Sequence, residues 1–152
     1  MPDLILRSRG GETMSLSSQR GRVALVAFIG KSACHTGPCL EIADQLFLEL
    51  GASHFTSFGC IVDLMPGEEL REYLPFVIPV SWSPRRLVTD FLKLPVSGFT
   101  LPKFAVIDRQ GDLRHLLEGP PGYDLWRMVT DFRQIIEPII AEPSEGTKEI
   151  QV

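Results

Sequence analysis

Apolar residues fill positions 23–30 of RVALVAFIG almost without a break. An unbroken run rich in β-formers, rather than an alternating one, predicts a strand buried on both faces. FTSFGCIVDL, residues 55–64, predicts a second. Between them the period lengthens. In CLEIADQLFLELG the residues Leu40, Ala43, Phe47 and Leu50 share one face at helical spacing, and Ile42 and Leu46 widen it. Gly37 and Pro38 suit the entry to this helix and Gly51 its stop. A short helix is expected over residues 67–74 and a strand near FVIPV, residues 76–80. SPRRLVTDFLKL predicts a further helix, capped by Ser83 with Pro84 at the first position and Leu87, Val88, Phe91 and Leu92 turned inward. LPKFAVIDRQGDLRHLLEG predicts a hairpin, KFAVI returning through a turn at Asp108 to Asp112 into LRHLL. A last helix is expected from about Asp124 to Ile140, with Leu125, Met128, Val129, Phe132, Ile135 and Ile136 as its buried stripe. At the start of the chain, Leu4 to Leu6 returns through Gly10-Gly11 to Met14 to Leu16 as an edge hairpin.

Strands and helices thus take turns, and a hairpin closes the series. That order predicts an α/β fold with a central mixed β-sheet, helices on both of its faces and an added N-terminal β-hairpin. The 152 residues suit one domain, placed at residues 1–141, with a polar, flexible tail over 142–152. A net charge of −4 offers no basic surface, which argues against nucleic acid as a partner. No apolar run approaches the roughly 20 residues that span a bilayer, and the opening MPDLILRSRGG lacks the apolar core of an export signal. The chain therefore reads as a soluble monomer without a targeting signal: cytoplasmic as written, extracytoplasmic if such a signal has been trimmed from it.

Candidate chemistry sits in KSACHTGPCLEI, residues 31–42. Of the 3 cysteines, Cys34 and Cys39 flank the step from the first buried strand into its helix. Disulfide exchange needs an accessible thiol of lowered pKa and a second thiol near enough to resolve the mixed disulfide. The N-terminus of a helix favours an anion. Cys34, in the loop feeding the helix, is the better nucleophile, and Cys39, in its first turn, the better resolver. Bridging them requires Cα atoms about 4.4–6.8 Å apart, hence a tight turn over His35 to Pro38, which Gly37 makes feasible. Inert thiols in a degenerate site are the competing reading.

The pattern of the leading hairpin, GRVALVAF, the cysteine pair and GFTLPKFAVIDRQGDLRHLLEG resembles the thioredoxin-like superfamily, and within it the bacterial TlpA/ResA branch of thiol-disulfide oxidoreductases, from about Leu4 to Ile140. The resemblance implies a thioredoxin-like fold and a thiol-disulfide oxidoreductase acting on protein disulfides. It implies Cys34 and Cys39 as the catalytic pair, Leu101 with a cis-Pro102 as the surface that docks the substrate, and His35 and Thr36 beside it. Protein thiols and a redox partner protein are the implied partners, with no organic cofactor and no metal. The chain departs from the family pattern in three places. The family spacing is Cys-x-x-Cys; here Thr36 falls where the first sulfur is expected. Ala27 replaces a polar residue near the second cysteine, and Ala33 replaces a tryptophan. Ser32 and Leu101-Pro102 separate the chain from the related peroxiredoxins, whose Thr-x-x-Cys is nonetheless reproduced by Thr36 and Cys39. A thiol peroxidase using Thr36 and Cys39, and a redox-inactive thioredoxin-like module binding a protein partner, stay open as alternatives.

The other reactive residue types have plainer readings. Cys60, inside an apolar strand, reads as a buried core thiol. Asp63 reads as a capping or solvated residue, and His35 divides between a thiolate partner and an exposed loop residue. His54 and His115 lie too far from the cysteines in sequence to suggest a metal site. Trp82 and Trp126 read as core or groove residues, and Arg85 and Arg86 as a solvated helix face.

Overall fold

The structure, a computed structural model, describes residues 4–7, 13–19, 21–30, 36–51, 54–62, 78–95, 97, 99–118 and 125–142. The expected helix over 67–74, Asp63, and the glycine turn of the first hairpin lie outside these residues. Strands β1 (Ile5–Arg7) and β2 (Thr13–Ser15) lead into a 3-10 turn (Leu16–Gln19) and β3 (Val23–Gly30). Helix α1 (Thr36–Leu50), β4 (Phe55–Val62), β5 (Val80–Ser83) and α2 (Arg85–Leu92) follow, then β6 (Lys103–Ile107), β7 (Leu113–Glu118) and α3 (Leu125–Ile140). The 7 strands form one sheet in the order β2-β1-β5-β4-β3-β6-β7. β3 pairs in parallel with β4 and β4 with β5, whereas β6, β7, β1 and β2 run antiparallel to their neighbours.

Central β3 is why the run of residues 23–30 carries no alternation. Val23, Leu25, Ala27 and Ile29 enter one core with α1 and α3, while Ala24, Val26 and Phe28 enter a second with α2 and the N-terminal hairpin. Both faces need apolar residues, so the period of two disappears from hydropathy and survives only in the choice of core. In β6 the same alternation sends Phe104 and Val106 to the α1/α3 side and Ala105 and Ile107 to the α2 side. Phe104 meets Phe132 of α3 edge to face, with centroids 4.8 Å apart, a contact that contributes about 0.5–1.5 kcal/mol beyond burial.

Helix α1 begins two residues earlier than its expected entry at Pro38. A proline in the first turn leaves no intrahelical hydrogen bond unmade, because the first amides of a helix have no carbonyl to reach. The described part of the turn expected over residues 35–38 is therefore already helix. Cys39, Leu40, Ile42, Ala43 and Leu46 are fully buried, with Phe47 and Leu50 packed at the margin. Asp44 accepts the Ile78 amide at 2.9 Å and so ties α1 to the segment entering β5. That strand starts at Val80, where the expected one near 76–80 ends.

Several expectations give way to the tertiary context. Ser83 does not cap α2: it belongs to β5, and its hydroxyl donates to the Ile5 carbonyl at 3.2 Å, joining β5 to β1. Pro84 takes the cap position with no side-chain bond. Leu87 is exposed, and Thr89 takes the inward place, its hydroxyl satisfied by the Arg85 and Arg86 carbonyls. On α3, Val129, Phe132, Ile136 and Ile139 are buried, whereas Trp126, read as core or groove, is 63% exposed. The turn at Asp108 to Asp112 forms as expected. Asp108 Oδ1 accepts the amides of Gln110 and Asp112 at 3.0 Å, and Gly111 adopts a φ of 91°. Arg114 grips Glu142 with two bonds of 2.7 and 2.8 Å, holding the end of α3 against β7.

The contact between α1 and the sheet depends on Gly59. A Cβ there would stand 2.5 Å from Leu40 Cδ2 and 3.5 Å from a Val80 methyl. Leu40 is fully buried, so its side chain would have to shift within a close-packed interior. Gly59→Ala is expected to destabilise the protein by about 1–3 kcal/mol, the usual cost of overpacking. A chemical denaturation midpoint measures it, and the double change with Leu40→Ala should cost less than the sum of the two single changes, because the clash is relieved.

Candidate active site

Strand β3 ends at Gly30 and α1 starts at Thr36, so the expected site lies where the sheet hands the chain to this helix. Cys34 and His35 fall in residues 31–35, outside the described residues, and nothing is described of the Thr36 side chain beyond its helical backbone. Cys39 is described in full. It is a free thiol in the first turn of α1, 0% exposed, and belongs to the core that contains Ala27 and Phe104.

Two effects compete at the Cys39 sulfur. The helix N-terminus stabilises a nearby thiolate by about 0.3–1 kcal/mol in exposed settings. Burial opposes it and pushes the thiol up to about 12 from 9.0. Each pKa unit corresponds to about 1.4 kcal/mol, so desolvation dominates and Cys39 is a protonated thiol at neutral pH. This is the environment of a shielded second thiol rather than of an attacking one.

The step Leu101-Pro102 precedes β6 and is a cis peptide. Lys103, the first residue of β6, stands opposite Phe28 of β3 and Glu118 of β7. Since β3 runs on only from Phe28 to Gly30, Leu101 and Pro102 occupy the sheet end at which the chain departs toward α1. Both are half-buried, and Leu101 packs at the margin of the α2-side core. The structure therefore brings Pro102 and the N-terminus of α1 to one end of the fold.

The remaining candidates are dispersed. Cys60 is fully buried and its thiol is pushed up by desolvation, but it lies in the α2-side core, across the sheet from Cys39. The sheet itself separates the two sulfurs. His54 is an exposed residue at the start of β4 and His115 an exposed residue of β7 opposite Val106. Among the described residues no three His, Cys, Asp or Glu side chains gather as metal ligands.

One cluster escapes the sequence reading. Arg85, read as part of a solvated face, donates from Nη1 to the Phe99 carbonyl at 3.1 Å, with its guanidinium 5.5 Å from the centre of the Phe99 ring. Lys103, whose side chain is 9% exposed, lies 5.8 Å from the same ring and pairs with Glu118 at 3.1 Å. The signal available in the sequence was a lysine opening the apolar strand KFAVI directly after Pro102.

No family model matches the sequence, and no curated protein matches it either. Solved structures do match. A thiol:disulfide interchange protein of the thioredoxin family from Chlorobium tepidum superposes with a TM-score of 0.68 at 20% identity, covering 92% of this chain and 94% of that one. A secreted thiol-disulfide isomerase from Corynebacterium glutamicum gives 0.70 at 19% identity, over 93% and 86% of the two chains. The exposed lipoprotein thioredoxin of Streptococcus pneumoniae gives 0.61 at 18% identity, over 86% and 99%. With its mixed sheet, its helices on both faces and its added N-terminal hairpin, the chain has the thioredoxin-like fold.

Proposed function

We propose that this protein is a thiol-disulfide oxidoreductase of the TlpA/ResA type acting on protein disulfides, with Cys34 as the attacking thiol and Cys39 as the resolving one. The observation that carries the reading is the placement of Cys39: a shielded thiol in the first turn of α1, at the sheet end that also carries Leu101 and Pro102. The similarity to interchange and isomerase proteins supports the same chemistry.

The Cys34 thiolate attacks one sulfur of the substrate disulfide, forming a Cys34–substrate disulfide and releasing the other sulfur as a thiolate. That leaving thiolate serves as the proton acceptor, since Ala27 in the core around Cys39 offers none. Taking the Cys39 proton, it leaves as a thiol. The Cys39 thiolate then attacks Cys34 Sγ, expels the second substrate sulfur and leaves a Cys34–Cys39 disulfide. A dithiol partner protein reduces this disulfide and resets the site. Leu101 and Pro102 hold the substrate strand beside the pair, flanked by His35 and Thr36. In the thiol peroxidase alternative Cys39 itself must meet peroxide as a thiolate, and its burial weighs against that.

Equilibration in glutathione buffers, followed by alkylation and mass mapping, should reveal a Cys34–Cys39 disulfide. Cys34→Ser should abolish reduction of insulin disulfides, and Cys39→Ser should accumulate mixed disulfides with substrate. Two thiols that stay free and slow across the redox range would overturn the proposal in favour of a redox-inactive binding module. Peroxide consumption that survives Cys34→Ser and disappears in Cys39→Ser would do so in favour of the peroxidase.

The burial of Cys39 has its own pH signature. With the thiol held up at about 12, its thiolate fraction at pH 8 is roughly 10³-fold below that of an unperturbed thiol of 9.0, and alkylation of Cys39 in folded Cys34→Ser should be slowed to match. The folded pKa lies above the unfolded one, so the contribution to stability is complete below pH 9.0 and is lost as pH rises toward about 12. Denaturation midpoints at pH 8 and 10 should show a drop that is smaller in Cys39→Ala.

A further inference from the structure

Residues 99–103 form a clip fastened at both ends by cations. From α2, Arg85 donates to the Phe99 carbonyl and stands over its ring. From β6, the Lys103 ammonium reaches back to Thr100 Oγ1 at 3.4 Å, faces the Phe99 ring at 5.8 Å and pairs across the ladder with Glu118 Oε1 at 3.1 Å. The four-residue segment Thr100–Lys103 is thus closed on itself by a side chain, and that side chain is anchored in turn to β7. Leu101 and Pro102 are the residues inside the closure.

The environment of the pair is unequal. Glu118 is 78% exposed, whereas the Lys103 side chain is 9% exposed. A buried ammonium persists only where partners replace its water, and here Thr100, Glu118 and the face of Phe99 do so. An apolar residue of the same length would fill the same space beside Phe99 and Phe28 without needing any of those partners. A lysine in this place constrains where Thr100 and Phe99 lie relative to β7, which an apolar side chain would not do. Stability alone therefore does not account for it.

We propose that Lys103 is a positioning residue for the substrate-docking segment: its ammonium, through Thr100 and Glu118, fixes Leu101 and Pro102 at the sheet end beside α1. The proposal rests on the oxidoreductase reading for its kinetic consequence, while the fixing of the segment can be measured without it. The role is separate from the sulfur chemistry, so loss of the ammonium should weaken docking and leave the reactivity of the cysteines alone.

Three variants test it: Lys103→Met, which keeps the length and removes the charge; Lys103→Arg, which keeps the charge; and Glu118→Gln, which breaks the ion pair from its exposed end. With insulin as substrate, Lys103→Met should raise KM roughly tenfold with kcat within about twofold of wild type, and Lys103→Arg should restore KM. Glu118→Gln should fall between. The rate of Cys34 alkylation should be the same in all four proteins. Amide hydrogen exchange over residues 99–103 should quicken in Lys103→Met and Glu118→Gln and return to the wild-type rate in Lys103→Arg. If wild type does not reduce insulin but exchange responds in this way, the oxidoreductase reading fails and the positioning role stands. Unchanged exchange in Lys103→Met overturns the positioning role whatever the turnover. Equal falls in kcat and kcat/KM with slowed Cys34 alkylation overturn it too, since the lysine would then act on the thiol.

Discussion

The parallel pairing of β3 with β4 is the constraint on which the site depends. Two parallel neighbours cannot be joined by a tight turn; the chain must cross back over the sheet, and α1 is that crossing. Its N-terminus then has to begin at the end of β3, beyond Gly30, where the strand's ladder stops. A helix N-terminus is thereby presented at one edge of the core, with its unpaired amides facing outward. The antiparallel partner β6 enters from the same edge, bringing Leu101 and Pro102 with it. That the helix start and the proline step share one end of the sheet follows from strand direction.

How deeply α1 sits is decided by Gly59 and Leu40. The missing side chain at Gly59 lets Leu40 lie against the sheet, and the residue before Leu40 is Cys39. A helix docked this closely draws its first turn into the core, so Cys39 loses its solvent and its ionisation together. The dipole of α1 cannot compensate for desolvation of that size. An exposed thiol one step outside the helix would face the opposite balance, keeping its water while standing near the helix N-terminus. The protonated state of Cys39 thus follows from how closely its helix is docked.

Much of the architecture was legible because burial on both faces of β3 and β4 leaves a strong mark on hydropathy. The helices α1 and α3 announced themselves by a stripe, and the turn at Asp108 by its side-chain chemistry. What escaped involves residues whose partners lie far away in sequence. Ser83 has the form of a helix cap, yet the Ile5 carbonyl lies within reach and takes its hydroxyl. Leu87 and Thr89 exchange the places that periodicity gives them, because a threonine can satisfy its own hydroxyl on the preceding turn of helix and so be buried at little cost. Trp126 is periodic with the buried stripe only approximately, and it falls on the solvent side of α3. At the site, Cys39 was legible from its position after a buried strand, whereas Arg85 and Lys103 were not, since only the fold shows that both converge on Phe99.

That convergence says something about how a sheet end can be made definite. A loop between α2 and β6 that carries two prolines, Pro95 and Pro102, lacks two backbone donors and would ordinarily be the softest part of this edge. Here the two cations come from elements already fixed by the core: Arg85 from the first turn of α2, Lys103 from a strand paired on both sides. Each delivers a polar group to Phe99 or Thr100 without the loop needing to grow longer or more apolar. Because Phe99 is itself buried, its ring and carbonyl supply fixed targets for both, and the order of the core is passed outward to the residues that border the site. Glu118 and Thr100, its exposed members, are where solvent competes for this arrangement. The placement of residues 99–103 is therefore tied to β7 through the Lys103–Glu118 pair.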